Sequence, residues 1–325
     1  MTETLPITET LPIIDISGLV AGQPGATAAI AAEIGRAARG IGFFYVAGHG
    51  IAPETIANMF DTIHRFFALP LEKKQEVAFG LSRHNRGFIA MKGETLDPSK
   101  PADLKEAFNI GLDLPADDPR ILAGEPFRGV NLWPDMPGFR ETMLDYFARV
   151  LNVGRLLQRA VAVDVGLPEG FFEDKLDQSL STLRLLHYPP QPPVLEEGQL
   201  GAGEHTDYGC LTLLMTDDVA GLEVRRRDGV WLPAPPIKDV FVCNIGDCLM
   251  RWTNDVYVST PHRVANRSGR ERYSIPFFLD PNPDAPVVSI PSCVTADRPA
   301  RYPPTTGALY LKERLQRTYA PGMIA

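Results

Sequence analysis

The chain has 325 residues, of which 44% are hydrophobic, and this is enough for one large domain or two small ones with a sizeable buried core. Its formal net charge of -8 argues against a surface that binds nucleic acid or an anionic membrane, because positive charge is clustered only locally, as at residues 225–227. No run approaches the ~20 consecutive apolar residues that a membrane span needs.

The cysteines and the N-terminal segment indicate a cytoplasmic protein. Cys210, Cys243, Cys248 and Cys293 form no C-x-x-C pair and lie in or beside apolar stretches, as expected for buried thiols in a reducing compartment. The first residues contain two copies of T-E-T-L-P-I but neither a basic segment nor a continuous apolar one, so we expect no signal peptide. Six residues are too few for a repeat architecture.

In the first half of the chain, apolar residues recur every three to four positions, which is typical of helices. This spacing predicts helices over residues 26–41, 53–69 and 139–165, and the last of these is long and is followed by Gly166 and Pro168. The aromatic run at residues 42–46 interrupts the helical pattern and predicts a strand.

From residue 181 the pattern changes to short segments rich in Leu, Val, Ile and aromatic residues, separated by Pro, Gly, Asn and Asp. Such segments are typical of an antiparallel sandwich or barrel. Residues 307–315 then predict a closing amphipathic helix. We therefore expect one catalytic domain over 1–325, mostly β with flanking helices: a mixed N-terminal part at 1–180, the β core at 181–290 and a C-terminal segment at 291–325.

The segment G-E-H-T-D-Y-G at residues 203–209 contains a histidine and an aspartate two positions apart. On an extended chain, His205 and Asp207 face the same side and can bind one metal ion. His262, in S-T-P-H-R-V-A, is the plausible third ligand, and two histidines with one carboxylate suit a non-haem Fe(II) oxygenase. The alternative is a loop hydrogen bond between His205 and Asp207, with His262 as a core histidine.

The segment R-Y-S-I-P-F-F-L at residues 272–279 supports the metal-site hypothesis. Strand alternation places an apolar row on one face and Arg272 with Ser274 on the other. If the apolar row packs outward, Arg272 points into the interior, where a bound carboxylate is its natural partner. A turn at residues 266–269 would pair this strand with the one that carries His262. The alternative is an arginine that faces solvent.

These motifs resemble those of the 2-oxoglutarate and Fe(II)-dependent dioxygenases of the isopenicillin N synthase-like family. H-T-D-Y-G, S-T-P-H-R-V and R-Y-S occur in the family's order, and further matches run from P-I-I-D-I-S at residue 12 to G-D-C-L-M-R-W-T-N-D at residue 246. The resemblance implies a double-stranded β-helix, or jelly-roll, core. It also implies that Fe(II), 2-oxoglutarate and O2 take part in the reaction.

The resemblance assigns roles to particular residues. It implies that His205, Asp207 and His262 bind Fe(II), and that Arg272 and Ser274 bind the distal carboxylate of 2-oxoglutarate. Tyr188 matches a tyrosine that many relatives place on the cosubstrate, and Arg184 resembles an arginine of some bacterial members. Plant-type relatives have Asn two residues before that tyrosine, whereas this chain has Leu186. Core packing is the alternative for Arg184 and Tyr188.

The implied reaction is oxidation of an unactivated C-H bond of a small molecule, by hydroxylation or by desaturation or cyclisation, with release of succinate and CO2. Candidates for the substrate wall are Phe278, Arg86, Phe88 and Met91, with a core role as the alternative for Phe88 and Phe278. We expect no nucleic-acid or membrane partner, and the sequence does not indicate an oligomeric state.

Three other functions remain open from the sequence. An oxidase of the isopenicillin N synthase kind would use iron and dioxygen without 2-oxoglutarate. A Zn(II) hydrolase would accept the same ligands but would leave Arg272 unexplained. A metal-binding module without turnover is the third.

Overall fold

The computed structural model of the chain describes residues 10–82, 84–191 and 196–318, so the first copy of the duplicated hexapeptide lies outside the described residues. The helices in the described residues are α1 (Ser17–Val20), α2 (Ala26–Arg39), α3 (Pro53–Phe67), α4 (Leu71–Gln75), α5 (Pro119–Leu122), α6 (Phe139–Asp164), α7 (Glu173–Leu176), α8 (Asp247–Trp252) and α9 (Gly307–Thr318). None of these helices combines the length and the apolar character that a membrane span requires.

The strands of the same residues fall into two larger sheets and one short pair. They are β1 (Ile13–Asp15), β2 (Phe43–Ala47), β3 (Gly87–Ile89), β4 (Glu106–Gly111), β5 (Thr182–Tyr188), β6 (Ala202–His205), β7 (Leu211–Thr216), β8 (Leu222–Arg225), β9 (Trp231–Pro233), β10 (Phe241–Ile245), β11 (His262–Val264), β12 (Arg272–Leu279), β13 (Pro286–Val287) and β14 (Thr305–Thr306).

The two larger sheets form the core of the fold. The eight-stranded sheet has the order β1-β2-β10-β7-β12-β5-β4-β3, and the four-stranded sheet has the order β6-β11-β8-β9. The larger sheet is mixed because β1 and β2 run parallel, whereas its other pairs are antiparallel. Residues of both sheets line one internal cavity, so the sheets face each other without closing into a barrel. The predicted fold, mostly β with flanking helices and a jelly-roll core, is confirmed.

Helix α6 supports the outer face of the larger sheet. Ile275, Phe277 and Leu279 are fully buried, and the Phe277 ring lies 5.1 Å from the ring of Phe147 on α6. This is the apolar row that strand alternation predicted for residues 272–279. The opposite row, which begins with Arg272, therefore points into the space between the sheets.

The predicted pairing of the His262 strand with the Arg272 strand was wrong. β12 pairs with β5 and β7 in the larger sheet, whereas β11 pairs with β6 and β8 in the smaller one. The segment between them crosses from one sheet to the other instead of closing a hairpin. His262 and Arg272 still line one cavity, because the two sheets face each other across it.

Candidate metal and anion site

Three predicted ligands meet at the open end of the smaller sheet. His205 ends β6, His262 begins β11, and the two residues are directly paired across the strands. Asp207 follows two residues after His205, and its Oδ1 lies 3.8 Å from His205 Nε2 and 3.6 Å from His262 Nε2. One ligand atom from each side chain lies within 4.8 Å of the others, close enough for all three to hold one metal ion.

Hydrogen bonds orient each of these side chains. His205 Nδ1 lies 2.7 Å from the carbonyl oxygen of Gly203, and His262 Nδ1 lies 3.1 Å from that of Thr260. A carbonyl only accepts, so each Nδ1 carries the proton and each Nε2 keeps its lone pair toward the centre.

The carboxylate of Asp207 is held in the same manner, by two donors from the larger sheet. Thr212 Oγ1 on β7 and Asn244 Nδ2 on β10 donate to Asp207 Oδ2 at 2.6 and 2.8 Å. Because both donors bind Oδ2, Oδ1 stays directed at the two imidazoles. The sequence analysis missed Thr212 and Asn244, since only the sheet pairing brings them to Asp207.

The electrostatics of the site favour the protonation states that bind metal. Burial and then the neighbouring His262 lower the pKa of His205 to about 3. Burial opposes ionisation of Asp207, but the two histidines and the bonds from Thr212 and Asn244 outweigh it and lower the pKa of that carboxyl. A neutral His205 imidazole beside an ionised Asp207 carboxylate is ready to accept a divalent cation without first losing a proton.

A buried cation lies at the other end of the space between the sheets. Arg272 is 1% exposed; its Nε donates to the Val219 carbonyl at 3.2 Å and one terminal nitrogen donates to Ser274 Oγ at 3.3 Å. Its guanidinium lies 5.0 Å from the centre of the Tyr188 ring. Among residues 10–82, 84–191 and 196–318, no carboxylate lies within ion-pair distance of it. A buried guanidinium that no carboxylate of the described chain contacts directly fits a small carboxylate ligand.

Two adjoining cavities meet at His205 and Asp207. The first, here called the anion cavity, reaches from His205, Asp207 and His262 to Arg272 and Ser274. The second, here called the outer cavity, shares several residues with the first and continues away from Arg272. The residues found only in the outer cavity include Asn85, Asn109, Thr182, Thr206, Tyr208, Asp280, Leu311 and Leu315.

Arg184 and Tyr188, predicted to contact the cosubstrate, have different surroundings. Tyr188 lines the anion cavity beside Arg272. Arg184 lines both cavities, and its guanidinium binds both oxygens of Glu94, one of them at 3.0 Å. A carboxylate of the chain itself thus occupies the fork of Arg184, which the sequence pattern gave no way to foresee.

Of the four residues predicted to form the substrate wall, only Phe278 lies along the two cavities. Arg86 is buried and donates to the carbonyls of His84 and Asn85 at 2.8 and 3.1 Å; burial and then the nearby Arg128 lower its pKa to about 10. Its neighbour Asn85 reaches the outer cavity instead.

The two remaining residues of the predicted wall also lie elsewhere. Phe88 packs in the core, with its ring 6.1 Å from that of Phe66, because its position on β3 faces the helical layer. Met91 follows the end of β3, is 38% exposed and lies on the surface.

The sequence analysis also missed three other residues of the outer cavity. Asp280 could have been found, because it continues the alternation of β12 by one step beyond Phe278. Leu311 and Leu315 lie on one side of α9, and nothing in their spacing indicates that this helix covers a cavity rather than the core.

Comparison with known proteins gives consistent matches. A model of the N-terminal region of non-haem dioxygenases in morphine synthesis matches residues 11–136, and the model of the 2OG-Fe(II) oxygenase superfamily matches residues 179–281. The chain is 38% identical over 301 residues to the 2-oxoglutarate-Fe(II) type oxidoreductase hxnY of Emericella nidulans, covering 91% of this chain and 86% of that protein.

Two further matches cover most of the chain. It is 37% identical over 296 residues to homoarginine-6-hydroxylase of Oryza sativa subsp. japonica, covering 87% of this chain and 89% of that protein. The crystal structure of a full-length Neurospora crassa protein in complex with alpha-KG and thymine has a TM-score of 0.83 and 33% sequence identity, covering 98% of each chain.

Proposed function

The chain belongs to the 2OG-Fe(II) oxygenase superfamily, and we propose that His205, Asp207 and His262 bind its iron while Arg272 and Ser274 bind 2-oxoglutarate. The observation that carries this proposal is the convergence of three oriented ligand atoms within 4.8 Å, in a cavity that also holds a buried guanidinium that no carboxylate of the described chain contacts directly.

The family membership confirms the predicted enzyme class and cofactors. The protein is a 2-oxoglutarate-dependent dioxygenase that uses Fe(II), 2-oxoglutarate and O2. The donor set agrees with this, since two imidazole nitrogens and one carboxylate oxygen suit Fe(II) and leave coordination positions for other ligands. A Zn(II) hydrolase would leave the buried Arg272 without a function.

The side chains of this protein have separate tasks in the proposed mechanism. Thr212 and Asn244 keep Asp207 in place, and the carbonyls of residues 203 and 260 keep both histidines in the form that binds metal. Arg272 and Ser274 would hold the far carboxylate of 2-oxoglutarate in the cavity that they share with the metal ligands. When bound, iron, 2-oxoglutarate and O2 supply the oxidation of a C-H bond, with release of succinate and CO2.

We propose that the primary substrate is a small molecule that enters the outer cavity and is hydroxylated, with desaturation or cyclisation as the alternative outcomes. The position of this cavity beside the metal ligands supports the proposal. Two relatives also support it, since one is named for homoarginine and another is a structure with bound thymine.

We also propose that the chain acts as a single catalytic domain in the cytoplasm. The N-terminal strands β1 to β4 belong to the same eight-stranded sheet as β5, β7, β10 and β12, so the predicted parts share one core. The four cysteines are buried and free, which suits a reducing compartment.

The spectrum of the ferrous complex tests whether Fe(II) and 2-oxoglutarate bind together in one site of this protein. Fe(II) and then 2-oxoglutarate are added to the metal-free protein without oxygen, and the visible spectrum is recorded. We expect the weak charge-transfer band of a keto acid chelated to ferrous iron. Tight Fe(II) binding without this band would favour the oxidase that needs no cosubstrate, and a preference for Zn(II) without the band would favour the hydrolase.

A further inference from the structure

The inner face of β12 runs from the anion cavity into the outer cavity. Arg272, Ser274, Pro276 and Phe278 alternate along the strand and line the anion cavity, and Phe278 also lines the outer one. Asp280 is the next residue with the same parity and lines the outer cavity. One strand face thus carries a cation at one end and a carboxyl group at the other.

Asp280 is only 5% exposed, and its carboxyl group has no hydrogen-bond donor among the described residues. Its backbone N–H donates to Ser181 Oγ at 3.2 Å, but no group in the described parts of the chain donates to the side chain. Burial, followed by the nearby charge of Asp207, raises the pKa of Asp280 to about 8. A mostly buried carboxyl group that lines a cavity and receives no hydrogen bond from the described chain is free to accept one from a molecule in that cavity.

The other charges around the outer cavity compensate one another. Arg184 pairs with Glu94, and Lys105 lies 3.4 Å from Glu94 and also binds Asp103. Within the described residues, no Lys, Arg or His lies at ion-pair distance from Asp280. The described chain therefore offers Asp280 no ionic partner, and the raised pKa leaves its carboxyl group largely protonated near neutral pH, with an oxygen that still accepts a hydrogen bond.

A second acceptor without a donor belongs to Asn109, one of the residues that line the same cavity. Asn109 Nδ2 donates to Asn85 Oδ1 at 3.0 Å, whereas the buried Oδ1 of Asn109 has no partner among the described residues. Two acceptors without donors call for a ligand that brings donors. The N–H groups of ammonium, guanidinium and amides donate hydrogen bonds, and their nitrogen atoms accept none. A hydroxyl group also donates, but its oxygen accepts as well and needs a further donor.

We propose that Asp280 binds an N–H group of the primary substrate, and that this substrate is a small nitrogenous compound such as an amine, a guanidine, an amide or a lactam. The inference rests on the proposed function, in which the outer cavity receives the substrate. Leu311 and Leu315 of α9, together with Phe278, form the apolar wall against which the carbon skeleton packs. Asp280 orients the molecule at the end of the cavity away from Arg272.

Pairs of probe compounds test the requirement for N–H. The enzyme is loaded with Fe(II) and 2-oxoglutarate without oxygen, and binding is followed by calorimetry and by changes in the charge-transfer band. The pairs are thymine with 1,3-dimethylthymine, 2-piperidone with N-methyl-2-piperidone, and butylguanidine with 1-hexanol. We expect the N–H member of at least one pair to bind ten times more tightly or better than its partner.

Substitution of Asp280 then tests whether this residue recognises the N–H group. Asp280→Leu keeps the approximate size of the side chain and removes both carboxyl oxygens, and we expect the dissociation constant of the preferred probe to rise ten- to a hundredfold. Asp284→Leu, at an exposed position four residues later, is the matched control and should leave it unchanged. An unchanged charge-transfer band shows that the variant is folded, and Asp280→Ser replaces it if the band is lost.

The outcomes separate this inference from the proposed function. If the wild-type protein gives no charge-transfer band, the proposed function fails. If the band forms but no N–H probe binds, or the probe without N–H binds equally well, the substrate class is wrong. If the N–H probe is preferred but Asp280→Leu binds it as the wild type does, Asp280 is not the residue that recognises it.

Discussion

The two cavities that meet at His205 and Asp207 differ in how far the protein satisfies its own polar groups. In the anion cavity, each metal ligand is oriented by a hydrogen bond. Among the described residues of this cavity, only Arg272 is a buried cation that no carboxylate contacts directly. In the outer cavity, the acceptors of Asp280 and Asn109 are left without donors from the described chain, and one wall comes from α9.

This difference assigns the chemical reaction to the anion cavity and the selection of the substrate to the outer cavity. The anion cavity is preorganised, as a site that binds the same metal and cosubstrate in every cycle should be. The outer cavity is completed only by its ligand, so its unmatched groups describe the molecule that it accepts. Substitutions in the anion cavity and substitutions in the outer cavity should therefore change different measured quantities.

Asp207→Ala should have the largest effect, because it removes the only carboxylate among the three ligands. We expect Fe(II) affinity to fall by more than about 100-fold, since even partners of metal ligands are worth about 10- to 100-fold. Titration of the metal-free protein with Fe(II) measures the loss. Asp218→Ala, an exposed residue paired with Arg270, is the control. Stoichiometric Fe(II) binding by the Asp207 variant would refute the metal assignment.

Arg272→Leu should weaken 2-oxoglutarate binding while Fe(II) binding persists. Removing one partner of a buried charge pair costs about 3–5 kcal/mol, which corresponds to roughly 100-fold or more in affinity. The 2-oxoglutarate concentration that gives half of the charge-transfer band measures this effect. Arg270→Leu, at an exposed arginine two residues earlier, should not change it. If both variants titrate like the wild type, the anion is bound elsewhere.

Thr212→Val should have a smaller effect on the metal, because it removes one of two donors to Asp207 and keeps the shape of the side chain. We expect Fe(II) affinity to fall by about tenfold, with 2-oxoglutarate binding to the loaded enzyme unchanged. Thr216→Val on the same strand, where the side chain does not line either cavity, serves as the control. An equal loss in both variants would indicate a general change in β7 rather than an effect on Asp207.

Arg314→Met should have the smallest effect, on stability rather than on Fe(II) binding. Arg314 joins α9 to Asp247, and its guanidinium lies 4.9 Å from the centre of the Tyr208 ring. Arg314 binds Asp247, and the two side chains are 25% and 8% exposed, so we expect the free energy of unfolding to fall by about 1 kcal/mol or less. Denaturant unfolding measures this change, with Lys312→Met on the same helix as the control. A matching loss of Fe(II) affinity would contradict the separation of α9 from the metal site. The link would run through Asp247, which also accepts a hydrogen bond from Thr206, between His205 and Asp207.

Much of the site could be predicted because its residues follow a local rule. The H-x-D spacing places two ligands on one side of an extended chain, and the alternation of β12 correctly separated the buried apolar row from Arg272 and Ser274. The same rule, continued by one step, reaches Asp280. Strand alternation could not predict which residues near Arg86 line the substrate cavity. The chain bends there, and Asn85 rather than Phe88 faces the cavity.

The sequence alone was sufficient for the enzyme family, through the resemblance of its motifs. It was also sufficient for the types of ligand and for the two faces of β12, because these depend on side-chain chemistry and on the two-residue period of an extended backbone. Tertiary structure decided which strands pair, that Glu94 occupies the guanidinium of Arg184, and that α9 closes the outer cavity. Those contacts join segments far apart in the chain, and their geometry depends on how the two sheets pack rather than on any local spacing.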